Sequence, residues 1–124
     1  MARNFSLLLT AILVIHLAGC STASPADQDI AAGILRLKRI GSEEPGRGQA
    51  DREAAAFATL LRERCGAEVV DVPKPATDRE KTDIDRYNHR MQQEIDRRHG
   101  EGTVVRLRAE AKQKAAAEKP ADHP

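Results

Sequence analysis

Aromatic side chains are nearly missing from this 124-residue sequence, which has no Trp, one Tyr and two Phe. So few rings imply a thin core and argue against a deep, aromatic-lined ligand pocket. Charge of one sign is lacking as well. Twenty Lys and Arg stand against 19 Asp and Glu, and Arg3 is the only charged side chain in residues 1–19, so the chain beyond residue 19 is neutral with His uncharged. A neutral chain has no basic footprint for a polyanion, and no nucleic-acid partner is expected. Long apolar runs are confined to residues 5–17, and those 13 residues fall short of the roughly 20 that a spanning helix needs. There is no G-x-S-x-G and no Gly-rich phosphate loop opening a helix, and Gly46-Arg47-Gly48 reads as a turn. No internal repeat is visible.

What is present begins at the N-terminus. A short basic stretch, residues 1–4, precedes the apolar run, and Ala18-Gly19 supplies small residues before Cys20. Ser21-Thr22-Ala23-Ser24-Pro25 then opens into turn-forming sequence. A peptidase must reach an extended, unhindered backbone, and small side chains permit that, so the pattern is that of a signal peptide. Leu17-Ala18-Gly19-Cys20 resembles the lipobox of bacterial lipoproteins. The resemblance implies cleavage between Gly19 and Cys20 and acylation of Cys20, which becomes the first residue of the mature chain. Two other readings stand beside it: cleavage after Ala23 and secretion to the periplasm, or an uncleaved tethering helix. His16 interrupts the apolar run under all three. One acyl chain binds a bilayer only marginally, whereas two or more anchor stably. Lipoproteins with Asp after the cysteine are retained in the inner membrane; here the sorting position holds Ser21, which implies the outer membrane of a Gram-negative host, with the body facing the periplasm.

With Cys20 acylated, Cys65 is the remaining thiol and has no internal partner. An oxidising compartment makes a lone thiol a liability unless it is buried or pairs between chains. Its place at the end of a helical pattern, before Gly66, fits a buried apolar residue; a nucleophile would need a nearby His and a lowered pKa. Removal of residues 1–19 leaves 105, enough for one small domain.

Past the anchor, Ser24 reads as an N-cap with Pro25 at the first helical position, and Asp27 and Asp29 suit the first turn. Ile30, Ile34 and Leu37 extend a helical face toward Ile40, closed by Gly41, although Leu35-Arg36-Leu37-Lys38 also alternates as a short strand would. Residues 41–50, with three Gly and a Pro, form a loop. Asp51 can cap a second helix to Cys65, with Ala54, Phe57, Ala58, Leu61 and Cys65 on one face and Gly66 ending it. Glu68-Val69-Val70-Asp71-Val72 is the best strand, stopped by Pro73-Lys74-Pro75. The only other β-branched run is Thr103 to Leu107; if the two pair across the intervening helix the unit is a small right-handed β-α-β, and otherwise each is an extended connection or a fraying helix end. The intervening helix opens on a capping box, Thr77 with Glu80, and carries Ile84, Tyr87, Asn88, Met91 and Ile95 at spacings of three and four. Beyond Leu107 the sequence is rich in Ala, Lys, Glu and Gln, with no apolar stripe wider than alanine, and reads as a solvated, fraying helix.

Asp85 with His89, and Asp96 with His99, have spacings open to metal ligation, but a solvated charged face is the favoured reading. The two pairs lie about 16 Å apart along a helix, too far to share an ion, and no metal or cofactor is assigned. Arg106, Arg108, Lys112 and Lys114 could touch lipid headgroups or peptidoglycan carboxylates. The expected fold is mainly α, a small helical domain with at most two short strands; the alternative is α+β with one β-α-β unit. The expected organisation is a signal peptide over 1–19, a linker over 20–29, a helix-rich periplasmic domain over 30–108 and a charged tail over 109–124. The functional expectation is a lipid-anchored, non-catalytic binding or structural module with an envelope-protein or peptidoglycan partner. The alternative is a small periplasmic enzyme using Cys65 or His89.

Overall fold

Two turns of the chain decide its architecture, and both rest on glycine. At Gly33 the backbone enters the left-handed region (φ +76°), which ends the first helix and frees the next residues to extend. The second is the Gly100–Gly102 turn, both glycines at positive φ, which separates the last two helices. A computed structural model of the chain describes residues 22–41 and 48–118. Residues 1–21, which include Gly19, Cys20 and Ser21, lie outside the described residues, as do 42–47 and 119–124. The elements are α1 (Pro25–Ala31), β1 (Arg36–Ile40), α2 (Gln49–Cys65), β2 (Glu68–Val72), α3 (Asp78–His99) and α4 (Thr103–Ala117). The protein is a small, mainly α domain with one two-stranded parallel sheet.

Helix α1 starts as its sequence directs: the Ser24 hydroxyl accepts from the Asp27 amide at 3.2 Å, with Pro25 in the first turn. It does not continue to Ile40. Residues 36–40 are a strand, and the alternation of Leu35 and Leu37, both buried, with half-exposed Arg36 and Lys38 is the pattern that prevails. Gly41 therefore does not cap a helix; its N–H donates to the Val72 carbonyl at 3.0 Å and prolongs the ladder. The strand at 68–72 stands where the sequence puts it, but its partner is β1, with Leu37 beside Val69 and Ile40 beside Val72. The unit is thus β1-α2-β2, crossing through α2 rather than α3. Helix α2 begins at Gln49, with Gly48 at the N-cap and Asp51 inside the first turn. It ends on Gly66 in the left-handed conformation.

The run from Thr103 to Leu107 is helical, contrary to its β-propensity. The Thr103 hydroxyl donates to the Gly100 carbonyl at 2.6 Å, and the Asp96 carboxylate of α3 accepts from the Val104 amide at 3.2 Å, capping a helix whose own N-cap is Gly102. Val104, Leu107, Ala111 and Ala115 then recur at helical spacing and are all buried. The reading of residues 109–117 as a solvated tail is corrected by those two alanines, 1% exposed each, which let α4 lie along α2. Small side chains shorten the distance between helix axes, so a stripe of alanine suffices where the facing helix supplies Leu60, Leu61 and Phe57. Arg64 to Glu110, at 2.7 Å, ties the same pair of helices at the surface.

Helix α3 carries the capping box in full: the Thr77 hydroxyl accepts from the Glu80 amide at 3.2 Å, and the Glu80 carboxylate accepts from the Thr77 amide at 3.3 Å. Of its apolar series, Tyr87, Met91 and Ile95 are buried in one cluster with Leu35, Leu37, Leu61, Val104 and Leu107; Ile84 is only half-buried. Substitution Ile95→Asp places an unpaired carboxylate in a fully enclosed site. The expected cost is several kcal/mol, comparable to the whole stability of a small domain. Thermal melting by circular dichroism should show Ile95→Asp unfolded, while Val105→Asp, at a position 61% exposed, shifts stability by less than about 0.5 kcal/mol.

Candidate functional site

The strand β1 has α3 along its outer edge, and the side chain of Asn88 makes the hydrogen-bonded join. The Asn88 carboxamide accepts from the Lys38 amide and donates to the Lys38 carbonyl, both at 2.8 Å. This reproduces the two bonds of a neighbouring strand. The Lys38 ammonium then sits 3.9 Å from the centre of the Tyr87 ring. Residue 88 belongs to the helix's apolar series by spacing, yet it is polar, and that mismatch is the sequence signal for a specific partner.

Two grooves flank this junction. The first, about 660 Å³, lies between β1, α2, α3 and α4. Leu37, Phe57 and Val69 give it an apolar floor, and Lys38, Arg39, Arg108 and Lys112 bring four cations to its walls, against Glu53 and Asp85. Arg39 is neutralised by Asp71 in a bidentate pair at 2.6 and 3.0 Å, which lowers the Asp71 pKa and raises that of Arg39. Lys38 is engaged on Tyr87. Arg108 lies over the Phe57 ring, 4.8 Å from its centre, and Lys112 stands one turn further along α4. Lys112 is therefore the wall cation with no such contact among the described residues, and Arg108 beside it is held over Phe57 as Lys38 is over Tyr87. The basic group expected from sequence is split: Arg106 turns back to the Glu101 carbonyl at 2.7 Å and the Thr103 hydroxyl at 3.0 Å, and Lys114 lines neither groove.

The second groove, about 560 Å³, lies between α1 and α3 and has His89 and Arg90 on its wall. Its two helices are held together by polar contacts. Arg90 donates to Asp27 at 2.8 Å, and the Tyr87 hydroxyl donates to the Asp29 carboxylate at 2.5 Å. Ser24 and Arg90 hold the Asp27 carboxyl below its ordinary pKa, and burial, then Asp29, raises that of the Tyr87 phenol. His89 is exposed and its Nε2 lies 3.1 Å from the Gln93 amide nitrogen.

Cys65 is buried among the core residues. Burial pushes its thiol pKa up, against a smaller lowering by Arg64 and with Asp96 adding to the rise. Cys65 lines neither groove, so the structure does not bring it to His89 at a common surface. Asp96 is occupied in capping α4, and His99 is exposed. Among the described residues, no three His, Cys, Asp or Glu side chains are grouped to hold a metal ion. One buried charge was hidden from the sequence. Glu94 is 4% exposed and receives Arg97 at 2.6 Å and Arg98 at 2.7 Å, with Arg90 at 3.8 Å, so one buried carboxylate gathers three arginines.

Comparison with family models, with curated proteins and with solved structures finds no match to this chain.

The Glu94 cluster makes a pH prediction. Hydrogen bonds from Arg97 and Arg98 hold the carboxyl at about 2, below its ordinary 4.5. A carboxyl depressed on folding adds stability that is complete above the ordinary value and is lost as pH falls through the folded one. The melting temperature should drop between pH 4.5 and 2, and Glu94→Gln should flatten part of that drop while leaving its remainder to Asp27 and Asp71. Melting curves recorded across that window check it.

Proposed function

We propose that this chain is a lipid-anchored lipoprotein of the cell envelope, sorted to the outer membrane, and that its folded body is a non-catalytic binding module facing the periplasm. The observation that carries the reading is Leu17-Ala18-Gly19-Cys20 at the end of a 13-residue apolar run, with Ser21 rather than Asp behind the cysteine. The short stretch after the cysteine suits a tether. Helix α1 is capped at Ser24, only four residues on, and extended chain covers at most about 14 Å over that distance. The body would therefore ride close to the bilayer, with α1 clamped to α3 through Asp27–Arg90 and Asp29–Tyr87. No helix among the described residues is long and apolar enough to cross a membrane.

The groove beside Asn88 is the surface this module would use. Arg108 and Lys112 over an apolar floor suit a ligand that joins carboxylates to apolar groups, such as an acidic envelope-protein segment or the peptide stems of peptidoglycan. The enzymatic alternative draws little support, because the Cys65 thiol is buried with a raised pKa and stands apart from the groove that His89 lines.

Cys20→Ser should abolish acyl labelling and release a soluble or unprocessed form, whereas unchanged labelling contradicts the lipoprotein reading. Ser21→Asp should move the protein to inner-membrane fractions. Binding is tested separately. Co-sedimentation with isolated sacculi, or crosslinking to an acidic envelope protein, should weaken with salt and fall roughly tenfold in Arg108→Glu/Lys112→Glu. The double variant should stay folded, losing no more than about 1 kcal/mol with the Arg108–Phe57 contact.

A further inference from the structure

The sheet has two edges, and a side chain answers one of them, at Lys38. Asn88 occupies the outer edge of β1, but among the described residues no strand lies beyond β2, which packs against β1 and α2. The register fixes which groups that open edge presents. The Glu68 amide donates to the Leu35 carbonyl and the Val72 carbonyl accepts from Gly41, both at 3.0 Å, so Glu68, Val70 and Val72 face β1. In a parallel ladder alternate residues turn their N–H and C=O the other way, which leaves those of Val69 and Asp71 pointing off the edge. Pro73 has no N–H and ends the edge there.

We infer that β2 pairs antiparallel with β2 of a second copy about a two-fold axis at Val70, giving a four-stranded sheet in the order β1-β2-β2-β1. The sequence of the strand is self-complementary in this one register. Val69 faces Asp71 of the other copy as a hydrogen-bonded pair, twice, so all four outward backbone groups on each strand are satisfied. Val70 meets Val70, and Glu68 lies opposite Val72, so no like charges stand directly opposite; the two Asp71 side chains are diagonal neighbours on the other face, each paired with its own Arg39. Pro73 and Pro75 hold Val72 and Lys74 extended. That places Lys74 diagonally across from Glu68 of the other copy on the same face, an opposite-charge pair made twice, and both residues are exposed in the single chain. The same face carries the half-exposed Ile40, Val70 and Val72 in a row, which the pairing joins to the equivalent row of the second copy. A two-stranded sheet is marginal, and four strands are an ordinary number.

Cysteine crosslinking of the full-length chain in mild detergent tests the register directly. The two Val70 positions would be about 4.5 Å apart between Cα atoms, within disulfide reach, and the two Val72 positions about 14 Å apart, beyond it. Val70→Cys should give a disulfide-linked dimer on a non-reducing gel, and Val72→Cys should match the parent. Glu68→Lys should reduce the Val70→Cys dimer roughly tenfold at fixed concentration, and adding Lys74→Glu should restore it. Equal crosslinking at both positions, none at Val70, a crosslink to a different protein, or no rescue by the second charge reversal each overturns the inference.

Discussion

The carboxamide of Asn88 is the contact on which the arrangement of this domain depends. A strand of five residues with one neighbour leaves half of its backbone groups unanswered, and burying them unpaired would cost more than a small core returns. Asn88 answers Lys38 from a helix instead of a strand. That sets α3 at the sheet's edge, and the remaining contacts follow from its position. Tyr87 reaches Asp29, Arg90 reaches Asp27, and Met91 and Ile95 turn inward to meet Leu37, Leu61 and Val104. The first groove opens between these elements because α3 stands beside the sheet rather than on its face.

Scarcity of large side chains explains much of the rest. With three aromatic residues in the whole chain, close approach replaces bulk. Ala26, Ala67, Ala111 and Ala115 are all buried, and α4 packs through a stripe in which only Thr103, Val104 and Leu107 are larger. Charge is used in the same economical way. Asp96 caps a neighbouring helix, and Glu94 gathers three arginines on the flank of the core. These contacts leave few cations without a structural task, and Lys112 stands out at the groove for that reason, beside Arg108 over the Phe57 ring.

The elements legible in the sequence were those decided locally. The capping box at Thr77 and Glu80, the Ser24 cap, the Gly66 stop and the strand at 68–72 each rest on residues within a turn of one another. The mainly α class followed from them. The strand at 36–40 was less legible, because Ile30, Ile34 and Leu37 fit a helix as well as Leu35 and Leu37 fit a strand, and the choice was made by Gly33 and by pairing with residues 32 positions away. Residues 103–107 misled in the opposite direction. Their β-branched side chains favour a strand, but the Asp96 cap and the spacing of Val104, Leu107 and Ala111 outweigh a propensity of about 1 kcal/mol. The groove was the least legible feature, since Phe57, Asn88 and Arg108 come from three helices. The anchor proposed at Leu17 to Cys20 is the reverse case, a local pattern in the sequence that lies outside the described residues.

Amide hydrogen exchange at Lys38 is the most direct test of this role for Asn88. The Lys38 N–H lies on the outer edge of a two-stranded sheet, where solvent would ordinarily exchange it quickly. If Asn88 acts as the missing strand, Lys38 should be protected to nearly the same degree as the Arg39 amide, and Asn88→Ala should remove that protection before Met91 and Ile95 lose theirs. Fast exchange at Lys38 in the parent chain, or protection unchanged in Asn88→Ala, would contradict it.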